Sequence, residues 1–235
     1  INRIINKLKL KLKYLLSAWE FVLYTRMKKK ILITGGAGFI GNEIIKLIKE
    51  KENIIIVDKK KNKSTLSKFK KLGVTYISGN LINKYFSKKI YKKANIIFHL
   101  AGVTKVPNTD VNLNIKKEKK IYDEAVTKMQ NLINYSNKNA KIIFPSTHLV
   151  FENYKKNKII LNENSKPRPN LAYSSSKLKC EQLLTKNRKK YVILRLGSVY
   201  GRTSKKRMFN LPNLFALRAK NNLKLKLFSK GVQIK

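Results

Sequence analysis

Tyr173 and Lys177, in the stretch "AYSSSK", stand four residues apart, a spacing that puts both side chains on one face of a helix. A phenol titrates near pH 10 in water and must come down by about three units to move protons near neutrality. That shift asks for about 4 kcal/mol in favour of the phenolate. An ammonium about 6 Å away, at an effective dielectric of about 20, supplies about 3 kcal/mol. One lysine nearly suffices, and a second positive charge can provide the rest. In a chain this rich in lysine the pair also has a bland reading, as ordinary residues of a surface helix, so its weight depends on what lies upstream.

Upstream lies "ILITGGAGFIG", with Gly35, Gly36, Gly38 and Gly41 crowded between two apolar runs. Glycine is disfavoured inside helices and strands, so the cluster must serve the backbone. The pattern predicts a buried strand, a tight turn and the first turn of a helix. Gly35 permits the turn, Gly38 lets the backbone approach a pyrophosphate, and Gly41 allows close packing of helix on strand. The helix N-terminus turns N–H groups and partial positive charge toward the phosphates. The next apolar run, "NIIIVDKK", ends in Asp58, 23 residues after Gly35. A carboxylate there accepts from the adenosine ribose hydroxyls and repels a 2′-phosphate, which favours NAD over NADP. Lys59 to Lys61 soften that repulsion, and a strand-end Asp that merely caps its turn is the alternative.

These residues need a scaffold. Short runs rich in Ile and Val predict strands at Ile31–Thr34, Ile54–Val57, Thr75–Ile77, Ile96–Leu100, Ile142–Pro145 and Val192–Leu196. Helical stretches are predicted between several of them, at Asn42–Lys51, Asn112–Asn137 and Tyr173–Lys186. Strand and helix alternating in this way predict an α/β fold, a doubly wound parallel sheet covered on both faces. Residues 1–26 stand apart. Their Lys–Leu alternation and short apolar run are too short and too polar to span a bilayer, and no small-residue cleavage site follows. The chain opens on Ile, so we expect a fragment, or translated upstream sequence before a natural start at Met27. A basic membrane-surface helix is the other reading of that segment.

At this point the chain resembles the NAD-dependent epimerase/dehydratase family of the extended short-chain dehydrogenase/reductases, which works on nucleotide sugars. "TGGAGFIG" resembles its cofactor turn, implying contacts from Gly35, Gly38, Phe39, Ile40 and Gly41. "GNLIN" resembles its segment beside adenine, through Asn80 and Leu81, with Asn80 where the family has Asp. An amide oxygen still accepts from an adenine amino group. "FHLAGVTKV" resembles the fourth-strand motif beneath the cofactor, implying Leu100, Ala101 and Gly102. "PSTHLVF" puts Thr147 at the family's catalytic hydroxyl, and "AYSSSK" puts Tyr173 and Lys177 at its Tyr-x-x-x-Lys pair. "LRLGSVYG" resembles the strand and turn that follow.

The resemblance implies a Rossmann-type domain over 27–201 and, over 202–235, the beginning of a smaller substrate-binding region that family members continue for about another hundred residues. Much of the substrate pocket would then lie outside this polypeptide, which we expect to bind NAD poorly or be inactive as it stands. Lys177 would hold the nicotinamide ribose, and Thr147 would orient the substrate hydroxyl toward Tyr173. The family's dehydratases follow that threonine with Asp and Glu as acid and base. Here His148 and Leu149 stand there, and leucine cannot abstract a proton, so 4-epimerisation or net redox chemistry is favoured. Ser198, where the family's epimerases carry Asn, departs from the sugar-diphosphate contact. The predicted helices Asn112–Asn137 and Tyr173–Lys186 resemble the family's four-helix dimer interface and imply a homodimer.

Composition bounds the rest. The single Cys180 excludes an internal disulfide framework and a Cys-rich metal site, and points to a reducing, cytoplasmic setting. On the Tyr173 stripe, its expected role is buried packing. His99 and His148 are too few for a metal centre. The net charge of +42 invites a polyanion. The basic residues, however, are overwhelmingly Lys, spread along the chain, while phosphate and base readers lean on Arg forks. A solvated surface produced by A/T-rich codons is the favoured reading, with no specific nucleic acid. The rival function is a non-catalytic dinucleotide-binding protein of the same fold, recruited to RNA by its charge.

Overall fold

The computed structural model describes residues 29–59, 63–102, 115–154, 160–188, 190–201 and 211–225. The readings of 1–26, 202–210 and 226–235 therefore lie outside the described residues. Six strands form: β1 Ile31–Thr34, β2 Ile54–Asp58, β3 Thr75–Ser78, β4 Ile96–His99, β5 Lys141–Thr147 and β6 Tyr191–Leu196. They build one sheet in the order β3-β2-β1-β4-β5-β6, every pair parallel. This is the Rossmann order, and the chain reverses its direction of winding between β1 and β4. In sheets of this order that reversal is where a ligand crevice lies, outside the carboxyl ends of the strands.

The helices are α1 Phe39–Leu47, α2 Lys63–Lys71, α3 Lys84–Tyr91, α4 Ile115–Tyr135, α5 Ala172–Asn187 and α6 Leu211–Lys220. Alternation along each strand divides the core into two layers. Leu32, Val57, Ile97, Ile142 and Phe144 face α3, α4 and α5, where Tyr91, Met129, Leu132, Cys180 and Leu184 meet them. Ile31, Ile33, Ile54, Ile56, Phe98 and Ile143 face α1 and α2, against Ile44, Ile45 and Phe69. The central strands are thus dry on both faces, as continuous Ile and Val runs require, while the edge strands β3 and β6 are only partly buried.

Several boundaries differ from the expected ones. The first helix starts at Phe39 and ends at Leu47, with a separate 3-10 turn at Lys51–Asn53. β5 runs two residues further than expected, so Ser146 and Thr147 belong to the strand. Helices α2 and α3 escape a reading by apolar periodicity because lysine fills them. They are anchored by few side chains, Phe69 in α2 and Ile90 with Tyr91 in α3. An Asn83 cap, accepting from the Phe86 N–H, starts α3. Helix α6 buries no residue among those described.

Candidate active site

At the crevice, β1 ends in Thr34, which is wholly buried. Its Oγ1 accepts from the Ala101 N–H at 3.2 Å and lies 3.1 Å from His99 Nδ1, tying the end of β1 to the end of β4. Gly35 follows with φ +68°, and a Cβ there would stand 2.9 Å from the backbone of Leu100 and Ala101. No L side chain fits that conformation and that gap together. A Cβ on Gly36 would meet Ile56 Cγ2 at 2.7 Å, and one on Gly41 would meet Gly36 Cα at 2.5 Å. The close approach expected of Gly41 alone is therefore built by two glycines, α1 resting on the turn and the turn on β2. That corrects the reading of Gly41 as packing on a strand. Gly38 is exposed at the N-cap of α1, which no side chain caps. Phe39 and Ile40 sit half-buried in the first turn, Ile40 against the core.

Asp58 Oδ2 accepts from the Ala37 N–H at 3.2 Å, so the strand-end carboxylate reaches the glycine turn and caps it. Asn80 uses its Oδ1 within its own loop, accepting from the Ile82 N–H at 3.2 Å. Leu81 turns its side chain away from the loop, so a contact with a dinucleotide would fall to its main chain. Its side chain is 3% exposed in the core, and its carbonyl accepts from Ser87 Oγ and Asn131 Nδ2. The apolar side chain gains more by joining Tyr91 and Met129 than by lining a crevice. Leu100 and Ala101 are half-buried above β4, and Gly102 is exposed with open space around it. His99, buried among Tyr91, Phe144 and Thr34, has its pKa lowered to about 3, chiefly by burial, with Lys177 and Lys128 adding to it.

The second half of the site forms where β5 meets α5. Lys177 donates from Nζ to the Pro145 carbonyl at 2.7 Å, sits 4.6 Å from the Phe144 ring centroid and 6.0 Å from that of Tyr173. Burial lowers its pKa from 10.5 to about 8, with Cys180 and Glu181 pulling the other way. Thr147 is buried, and its Oγ1 accepts from the Leu149 N–H at 3.2 Å, starting a 3-10 turn at His148–Phe151. Its hydroxyl proton keeps a donor role. His148 Nδ1 lies 3.1 Å from the Leu196 carbonyl, to which it donates as the Nδ1–H tautomer. Cys180 is 2% exposed with its Sγ 3.6 Å from the Ala125 carbonyl, and burial raises its pKa to about 11.

The sequence reading missed two supports of this half. Glu152 Oε1 accepts from the Asn170 and Leu171 N–H groups and from Ser174 Oγ, capping α5 one residue from Tyr173. Glu181, 4% exposed, takes a fork from Arg195 and a hydroxyl from Ser146. A carboxylate eight residues after a tyrosine, and an arginine inside a strand, were the available signals.

Residues 31–235 match the model of the NAD dependent epimerase/dehydratase family. The chain belongs to that family. Among curated relatives, the dTDP-D-glucose 4,6-dehydratase of Dictyostelium discoideum is 31% identical over 199 residues, covering 74% of this chain and 44% of that protein. The UDP-glucose 4-epimerase of Lactobacillus helveticus is 28% identical over 189 residues, covering 74% and 53%. The chain thus spans about half the length of these relatives. Among solved structures, the UDP-N-acetylglucosamine 4-epimerase of Methanobrevibacter ruminantium superposes with a TM-score of 0.72 at 24% identity, over 87% of this chain and 67% of that one. The dTDP-glucose 4,6-dehydratase of Bacillus anthracis, solved in complex with NAD, gives 0.66 at 21% identity, over 86% and 65%. The family includes both epimerases and dehydratases, so membership leaves the reaction open. No helix among the described residues is long and apolar enough to cross a membrane.

Proposed function

We propose that this chain carries the cofactor and proton-transfer half of an NAD-dependent nucleotide-sugar epimerase or oxidoreductase. The observation that carries the reading is Lys177, its Nζ 6.0 Å from the Tyr173 ring centroid and hydrogen-bonded to the strand that ends in Thr147. The glycine turn supports NAD. Gly35 admits no Cβ, Gly38 stands exposed at an uncapped helix start, and Asp58 reaches the turn. In this reading Gly35, Gly38, Phe39, Ile40 and Gly41 hold the pyrophosphate, Asp58 the adenosine ribose, Asn80 the adenine, and Leu100, Ala101 and Gly102 underlie the dinucleotide. Bound NAD supplies the hydride acceptor and donor for sugar C4.

Within this division of labour, Thr147 donates its remaining hydrogen bond to the sugar hydroxyl and aims it at Tyr173. Tyr173 takes the hydroxyl proton and returns it, its phenolate favoured by the Lys177 ammonium. Lys177 also holds the nicotinamide ribose. His148 is engaged with the Leu196 carbonyl and Leu149 has no proton-transfer group. Both facts favour epimerisation or net redox over dehydration. The 27–201 domain division and a homodimer through α4 and α5 belong to the same proposal. The test is Tyr173→Phe in the whole protein, assayed with a panel of UDP-, dTDP- and GDP-sugars. Turnover should fall about a hundredfold or more with NAD affinity nearly intact, and near wild-type turnover would overturn the assignment.

A further inference from the structure

Glu181 lies on α5, four residues beyond Lys177, and is 4% exposed. Arg195 of β6 donates to it from Nε at 3.2 Å to both oxygens and from Nη2 at 2.7 Å. Ser146, beside Thr147, donates its hydroxyl to the same carboxylate. The guanidinium also donates from Nη1 to the Glu163 carbonyl at 3.1 Å and stacks 5.1 Å from the Phe151 ring centroid. One ion pair therefore joins β5, β6, α5, the 3-10 turn after Thr147 and the segment leading into α5. A buried ion pair seldom adds net stability over an apolar replacement, because desolvation offsets the attraction. Its worth here must be sought in what it holds.

We propose that Glu181 is a positioning residue for the Thr147–Tyr173–Lys177 centre, clamping the end of β5 to α5 and supplying the negative charge that keeps Lys177 an ammonium. The inference rests on the function proposed above. Among the described residues, the titratable groups near Lys177 are Tyr173, Cys180 and Glu181 on its own helix and His99 on β4, with Lys128 of the neighbouring α4 acting on the same histidine. His99 stays neutral through the physiological range. Cys180 also pulls Lys177 upward, but its thiol, held up at about 11, ionises only above the range in which Lys177 loses its proton. That leaves Glu181 as the counter-charge, shared with Arg195.

The two partners of the pair predict opposite signs. Glu181→Gln keeps an acceptor for Ser146 but removes the charge, so Lys177 should lose its proton at lower pH, by about half a unit or more. Arg195→Met leaves the carboxylate uncompensated and should move Lys177 upward. Mere loosening of the helix would wet Lys177 and raise its titration in both variants. Competitive acylation of the whole chain, read at the Lys177 peptide by mass spectrometry, measures this without any turnover. It therefore decides the inference even if no sugar nucleotide is consumed, an outcome that would count against the proposed function instead. An unchanged or raised titration in Glu181→Gln overturns the proposal. Where that variant does not fold, Glu181→Asp serves. Its shorter reach keeps the charge, so Lys177 should titrate within about 0.3 units of wild type, and a fall as large as that expected of Gln would overturn the proposal. In chains that turn over, Glu181→Gln should lower kcat about tenfold and leave the KM for NAD within about twofold.

Discussion

The two halves of the crevice are held by different physics. The glycine half, where β1, α1 and β4 meet, is fixed by close approach of backbone, with Gly35 against Ala101 and Gly41 against Gly36. Its cross-links are hydrogen bonds of Thr34 and a neutral His99. The Tyr173 half, where β5, β6 and α5 meet, is fixed by ions: Lys177 on Pro145, Glu152 on the start of α5, Glu181 on Arg195. Sterics do not titrate, and charges do. Under the proposed function, such a site would keep a dinucleotide platform constant over a wide pH range while the proposed proton-transfer groups respond to it.

Lys177→Met breaks the charged half most severely. Turnover should fall about a hundredfold or more and NAD affinity should weaken as well, measured by steady-state kinetics and calorimetry. Gly41→Val is its counterpart on the steric half. Its side chain would enter the Gly36 backbone, and overpacking of this kind costs about 1–3 kcal/mol. NAD affinity should drop about tenfold, by an amount independent of pH between 6 and 9. A strongly pH-dependent loss would erase the contrast between the halves.

Asp58→Ala comes next, because it removes the carboxylate that caps the glycine turn within the steric half. It removes the bond to the Ala37 N–H, worth about 1 kcal/mol, and should narrow the preference for NAD over NADP. Dissociation constants for both cofactors check it. The smallest effect is on stability. Lys177 titrates near 8 when folded against 10.5 as its ordinary value. Between those values the unfolded chain binds more protons, so this group's contribution to stability rises with pH from about 8 to 10.5 and is unfavourable below. The melting temperature of Lys177→Met relative to wild type should therefore be higher at pH 7 than at pH 10.

This division also explains what could be read in the sequence. Glycines announce themselves, because a residue with no side chain between Ile33 and Ile44 has few other uses. The six apolar strand runs were legible for the same reason, their burial demanding continuous Ile and Val. Gly36 went unassigned because its constraint comes from Ile56, on another strand. Glu152, Glu181 and Arg195 were not legible as parts of the site. Their partners lie 14 to 22 residues away or more in sequence, and each looks alone like a surface charge. The burial of the Leu81 side chain was not legible, because a motif position does not say which way its side chain turns. Helices α2 and α3 were hidden by lysines that satisfy solvent while one or two aromatic and apolar anchors do the packing.

In the proposed function, hydride moves between sugar C4 and a nicotinamide held on the glycine half. Single-turnover incubation of the whole protein with NAD and sugar nucleotides deuterated at C4, quenched and read by mass spectrometry, tests this. Deuterium should appear on the nicotinamide, and should be regained at C4 wherever the product is the 4-epimer. Product formed with the label lost to water, or with none ever reaching the nicotinamide, would contradict it.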